Sequence, residues 1–231
     1  HAGHLALGVG GAAGVTLMVV AEEFPQKKLS LGQVADVLEG AIIKRRAQGR
    51  DQGVAVLSEG LAGKIDSGTL GPLEQDAYGN MRLSELQLGR LLKERVTERL
   101  QARGIKVAVV AKDLGYELRC APPEAHDIRY CRSLGYWAVR FLIEGGNKFM
   151  VTIQGGRLVP IPFDEIMDPQ TGKIRVRYVD VKSEAYQTLY EYMIRLKPED
   201  FENPKNLKNL ARAGGLEVAD FVARFKPLVS G

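Results

Sequence analysis

Gly53-Val54-Ala55-Val56-Leu57-Ser58-Glu59-Gly60 reads as a buried strand that ends on a polar lip. A short β-branched run with no alternation marks a strand covered on both faces. Val15-Thr16-Leu17-Met18-Val19-Val20 and the run Lys106 to Ala111 have the same character. Between these runs lie two helical patterns. The first opens at Ser30, a suitable N-cap. It carries Leu31, Val34, Ala35, Leu38 and Ile42 on one stripe and ends in Lys44-Arg45-Arg46, where the helix dipole favours cations. The second runs from about Leu83 to Arg103 on a stripe of Leu88, Leu92, Val96 and Leu100, with Gly104 as its stop. Buried strands alternating with helices predict an α/β fold, a parallel sheet sandwiched between helices. Ligands of such sheets bind off the carboxyl ends of the strands. That rule selects the Ser58-Glu59-Gly60 loop and the segment after Ala111.

Working outward, residues 1 to about 11 predict a short apolar helix closed by glycines. A Gly-rich loop is expected up to about Asn80. Glu124 to Glu144 predicts a further helix, and Lys148 to Gln154, Gly155-Gly156 and Arg157 to Phe163 predict a hairpin. The tail from Lys197 is polar, with an amphipathic helix around Leu216 to Phe225. The domain reading is residues 1–196 as one α/β domain and 197–231 as a helical tail, packing on another domain or on a partner subunit.

The chain has 231 residues, 45% hydrophobic and 26% charged, with a net charge of +4. This is globular composition. The basic residues are dispersed and not interleaved with aromatics, which argues against nucleic acid and suits small anionic ligands. Cys120 and Cys131 match neither a redox pair nor a zinc site, and a reducing cytoplasm is expected. The uncharged stretch from His4 to Ala21 holds Gly8, Gly10, Gly11 and Gly14 and lacks a basic leader; it predicts a buried helix and strand, and no membrane segment. Gly8-x-Gly10-x-x-Ala13 fits the dinucleotide spacing, but its helix-then-strand order is the reverse of what that fingerprint needs. His1 and His4 have no carboxylate or cysteine near them in sequence to complete a metal site, and His126, beside a proline-bounded helix start, reads as a solvated residue.

Two places carry chemistry. Glu59 stands at the lip of a buried strand, where it can accept hydrogen bonds from a ligand hydroxyl or stabilise its own loop. Leu114-Gly115-Tyr116-Glu117-Leu118-Arg119 follows the third β-branched run. There, on what reads as a loop, an arginine can grip two oxygens of a phosphomonoester while the tyrosine donates to the third, or both can be ordinary surface residues.

As a set, these residues resemble the phosphofructokinase family. His1-Ala2-Gly3-His4-Leu5-Ala6-Leu7 is similar to the segment that directly follows the family's Met-Gly-Arg substrate motif. Val19-Val20-Ala21-Glu22-Glu23 resembles its V-x-P-E strand end, with Ala21 in place of proline. Leu57-Ser58-Glu59-Gly60 resembles its sugar-binding glutamate loop. Leu114 to Arg119 with Pro122-Pro123 and Asp127 resembles its L-G-Y-x-x-R element, with Cys120 where many relatives have glycine. Gln154-Gly155-Gly156-Arg157-Leu158-Val159-Pro160 resembles its late hairpin.

The resemblance implies a fold that is one half of a two-domain enzyme. It implies that Glu59 binds the fructose hydroxyls and that Tyr116, Glu117, Leu118 and Arg119 form the 6-phosphate element. Lys112 is a further candidate for contact with an anion or a neighbouring subunit. Tyr116, where many ATP-dependent members have histidine, and the insert from Met167 to Tyr186 point to the pyrophosphate-dependent subgroup. The function implied is phosphorylation of fructose 6-phosphate in glycolysis, with pyrophosphate or else ATP as donor, in a cytoplasmic homo-oligomer. The glycine-rich donor loop and the Thr-Ile-Asp-Asn-Asp segment that holds the catalytic base are not found, and Lys64-Ile65-Asp66 only echoes the latter. The chain is therefore expected to start at the family's domain junction, through a cut or a truncation. It should carry no catalytic residue, to meet its Mg²⁺ through the other half, and to be inactive alone or to act only as a sugar-phosphate-binding module.

Overall fold

The computed structural model describes residues 3–66 and 87–229. The predicted loop to Asn80 and the first part of the helix predicted from Leu83 lie outside them, as does the side chain of Arg119. The described residues divide into two compact units, one of 1–113 with 178–231 and one of 114–177.

The first unit is built on a parallel pair of strands, β1 (Leu17–Val19) and β2 (Ala55–Leu57), in the register Leu17↔Ala55, Met18↔Val56, Val19↔Leu57. Helix α1 (Gly3–Ala13) precedes β1, the helix-then-strand order that excludes the dinucleotide fingerprint. Its contact with β1 depends on a missing side chain: a Cβ on Gly10 would clash with the Met18 side chain. Gly14, at φ +60°, turns the chain into the strand. Helix α2 (Leu31–Ala47) starts where Ser30 predicts. Ser30 Oγ accepts from the Gln33 amide at 3.2 Å, and Gln33 returns a bond to the Ser30 amide. Helix α3 (Leu88–Gln101) buries Leu92, Val96 and Leu100, three of the four residues of its predicted stripe.

Lys106 to Ala111 does not form the third strand that its composition predicts. Val107 packs against the core while Lys106, Ala108 and Val110 face solvent. Burial of alternate side chains gives the segment its spacing, but a strand also needs a ladder, and among the described residues none includes it.

After the second unit the chain returns to the first through a further helix and a tail that adds two helices, not one. In chain order the intervening unit contributes α4 (Tyr116–Arg119), α5 (Ala125–Ile143), β3 (Phe149–Gln154), β4 (Arg157–Pro162) and α6 (Phe163–Ile166). The returning elements are α7 (Glu184–Tyr192), α8 (Pro204–Ala213) and α9 (Val218–Phe225). Asn203 caps α8 through Oδ1, with Pro204 at its first position. Leu210, Phe221 and Phe225 close over Ile43 and Leu196 in a second apolar cluster. Helix α2 is thus buried on two sides, and Glu39, on its second side, has no exposed surface. Arg103 and Arg224 pair with Glu39, while Arg99 and Arg224 hold Asp36 at 2.8 and 2.9 Å.

The second unit is a hairpin and a helix. β3 and β4 pair antiparallel from Phe149↔Pro162 to Gln154↔Arg157, turning at Gly155 and Gly156 with φ of +55° and +76°, as the glycine pair predicts. Helix α5 occupies the predicted 124–144 span. Among the described residues of this unit none is buried.

Candidate functional site

Glu59 sits where the strand rule places it. Past the last ladder pair, the Ser58 amide donates to Val19 O at 2.9 Å, continuing the β1–β2 register by one residue. The chain then enters a 3₁₀ turn, Glu59–Leu61, in which the Leu61 amide donates to Ser58 O and the Ala62 amide to Glu59 O at 3.1 and 3.0 Å. The residues on either side of Glu59, Ser58 and Gly60, are buried, while Glu59 itself is exposed. A fixed backbone under a solvent-facing carboxylate is an arrangement that accepts hydrogen bonds from a polyhydroxyl ligand. The other exit from the sheet is equally ordered. Glu23 accepts from the Val20 amide at 2.9 Å and from Arg195 at 2.8 Å, and Arg195 lies 4.8 Å above the Tyr190 ring. Tyr186 packs against this group. Burial and the nearby Glu23 carboxylate push its phenol well above the usual range.

Lys112 is exposed and belongs to the same unit as Glu59. Tyr116, Glu117, Leu118 and Arg119 belong to the other unit, so the candidate residues divide between the two. These four form a single helical turn, α4, where the sequence predicts a loop. Three bonds close it: the Leu118 amide to Gly115 O at 3.1 Å, the Cys120 amide to Tyr116 O at 2.8 Å, and the Gly115 amide to Glu117 Oε2 at 3.2 Å. Glu117 is therefore used locally to fasten the turn. Tyr116 is 77% exposed and its ring is open to a ligand. Tyr116 and Arg119 occupy the first and last positions of the turn, three residues apart, the spacing of neighbours on a helix.

His4 Nε2 lies 3.2 Å from Tyr178 O, and His126 stacks on Tyr130. Among the described residues no three histidine, cysteine or carboxylate side chains gather as a metal site. Two shallow hollows lie at Arg45–Gln52 and at Gln101–Ala108; neither is lined by a candidate residue. No described helix is long and apolar enough to cross a membrane. Sequence reasoning missed Ser58 as more than part of a loop. A small hydroxyl residue directly after a β-branched run was the available signal, although that run is partly exposed and not covered on both faces as its composition predicts.

A parallel pair with an acid at its carboxyl lip, flanking helices, a Tyr-to-Arg turn and a late hairpin define one half of a phosphofructokinase-like α/β fold. Comparison with known proteins agrees. The chain is 45% identical to the pyrophosphate–fructose 6-phosphate 1-phosphotransferase of Naegleria fowleri over 99% of its own length and 55% of the relative's. It is 45% identical to the Thermotoga maritima enzyme of the same name over 97% of this chain and 55% of that one. An ATP-dependent 6-phosphofructokinase of Borreliella burgdorferi is 30% identical over 39% of this chain and 20% of its own. No family profile matches the chain. The likeness to phosphofructokinases that the motifs suggest thus holds over essentially the whole chain, and the chain spans about half the length of the Naegleria fowleri and Thermotoga maritima relatives.

Proposed function

We propose that this chain is the sugar-phosphate-binding half of a pyrophosphate-dependent 6-phosphofructokinase of glycolysis. The observation that carries this reading is Glu59, an exposed carboxylate on an ordered turn at the carboxyl end of a parallel strand. Glu59 accepts hydrogen bonds from the fructose hydroxyls. Tyr116 and Arg119 hold the 6-phosphate, the phenol donating to one oxygen and the guanidinium to two. Lys112 adds positive charge near an anion or a neighbouring subunit. The 1-hydroxyl of the bound sugar attacks the terminal phosphoryl group of the donor in line, the bridging P–O bond of pyrophosphate breaks with release of orthophosphate, and the hydroxyl proton passes to the base of the other half. The groups of this chain orient that hydroxyl, and the catalytic base and donor site belong to the other half. Residues of that half, and not of this chain, would hold the Mg²⁺ that the resemblance implies, which would supply charge neutralisation at the phosphates. Pyrophosphate is favoured as donor over ATP because the two relatives matched over nearly the whole chain bear its name. In this reading the enzyme is a cytoplasmic homo-oligomer, and this chain alone binds the sugar phosphate without turning it over.

Arg119→Ala in the full-length enzyme tests the site. Loss of a charge-assisted bond costs about 1.5–3 kcal/mol, so KM for fructose 6-phosphate should rise roughly 10- to 100-fold. An unchanged KM refutes the assignment. Titration calorimetry of this chain with fructose 6-phosphate, with and without the other half, separates a half-enzyme from a stand-alone binding module.

A further inference from the structure

The Ser58 hydroxyl is a buried polar group that the proposed chemistry does not use. Its residue is 1% exposed. Oγ accepts from the Ala21 amide at 3.2 Å, and the Ser58 amide donates to Val19 O at 2.9 Å. Ser58 therefore bonds to β1's exit twice, at Val19 and two residues later at Ala21. The ladder proper ends at Val19↔Leu57, and the hydroxyl takes over where backbone pairing stops. Ala21 is 3% exposed, so its amide has no water to turn to if that acceptor is lost. One side chain thus fixes the separation of the two strand exits, and the next residue is Glu59.

We infer that Ser58 is a positioning residue for sugar recognition: its hydroxyl clamps the exit of β2 to that of β1 and so sets the direction from which the Glu59 carboxylate meets the fructose hydroxyls. This rests on the reading of Glu59 given above. Hydrogen-bond recognition of a hydroxyl is strongly directional, and a displacement of about 1 Å in a positioning group costs up to roughly 100-fold. A partial loosening should cost about tenfold.

The experiment is steady-state kinetics of the full-length enzyme in four forms: wild type, Ser58→Ala, Ser58→Thr and Glu59→Gln. Thermal midpoints are measured alongside. Ser58→Ala should raise KM for fructose 6-phosphate about tenfold while leaving kcat and KM for the phosphoryl donor within about twofold. Ser58→Thr, which keeps the hydroxyl, should return KM to near the wild-type value. If Ser58→Ala lowers the thermal midpoint and leaves KM unmoved, while Glu59→Gln raises KM, the hydroxyl serves stability alone and the inference is overturned. If Glu59→Gln itself leaves KM unmoved, the sugar-binding role of Glu59 fails, and the inference fails with it. Should Ser58→Ala not fold, Ser58→Cys, near in size and a weak acceptor, decides the matter: a raised KM supports the clamp and a wild-type KM overturns it.

Discussion

The two units of this chain are made of similarly apolar sequence and use it differently. In the first, β1 is buried residue for residue, and Phe221 and Phe225 have no exposed surface. In the second, Ile128, Tyr136, Val139, Leu142 and Ile143 are all exposed along α5, and the hairpin beside it in sequence has no fully buried position. A helix and a two-stranded hairpin have correct local geometry without a core, and a hairpin of two strands is marginal in water by itself. Local signals specify elements, whereas stability comes from what covers them.

The largest expected effect tests that contrast directly. Phe221→Ala should cost about 3–5 kcal/mol in urea unfolding followed by far-UV circular dichroism. Trp137→Ala on α5 should cost under about 1 kcal/mol in the same measurement. Trp137 is the sole tryptophan, so its fluorescence reports the second unit. In the wild type that signal should change at lower urea than the dichroism. Coincident transitions together with equal losses for the two variants would break the comparison.

Next comes the buried charge of the first unit. Glu39→Gln removes the carboxylate that balances Arg103 and Arg224. An ion taken from a buried set leaves its partners uncompensated, at about 3 kcal/mol. A loss below about 1 kcal/mol by urea unfolding would show that the guanidinium groups find water instead.

The smallest effect sharpens the pH behaviour of that unit. The Tyr186 phenol has its pKa raised by burial and by Glu23, so the folded chain holds this proton more tightly than the unfolded chain, whose phenol titrates near 10. The contribution to stability is complete below about pH 10 and is lost as pH rises through the folded value. Tyr186→Phe should change stability by about 1 kcal/mol or less at neutral pH. It should also flatten the alkaline decline of the thermal midpoint above about pH 10. A decline as steep as that of the wild type would assign it to another group.

What was legible in the sequence follows the same division. Ser30 announced α2 because a cap acts over three residues, and Gly155-Gly156 announced the hairpin because its turn needs positive φ. Glu59 could be placed at a strand's carboxyl end, since the β-branched run before it is local too. The fate of Lys106 to Ala111 was not legible, because pairing depends on a distant neighbour. Helix α8 was overlooked although Asn203-Pro204 is a local start signal; the polar tail around it masked the stripe. Glu39 stands off the apolar stripe read on α2, and its burial depends on distant segments, Arg103 just past α3 and Arg224 of the returning chain. The Tyr116–Arg119 turn read as a loop because four residues are too few to show a helical period.

The pairing of Glu39 with Arg224 joins residues 185 positions apart in sequence, with the whole second unit synthesised between them. At ribosomal rates of roughly 5–20 residues per second, α2 waits on the order of ten seconds or more for the helix that closes over it. Until then an acidic side chain stands on a half-covered helix face. Assembly of the first unit is therefore timed by the emergence of its second segment, and the second unit is made while that assembly is still incomplete.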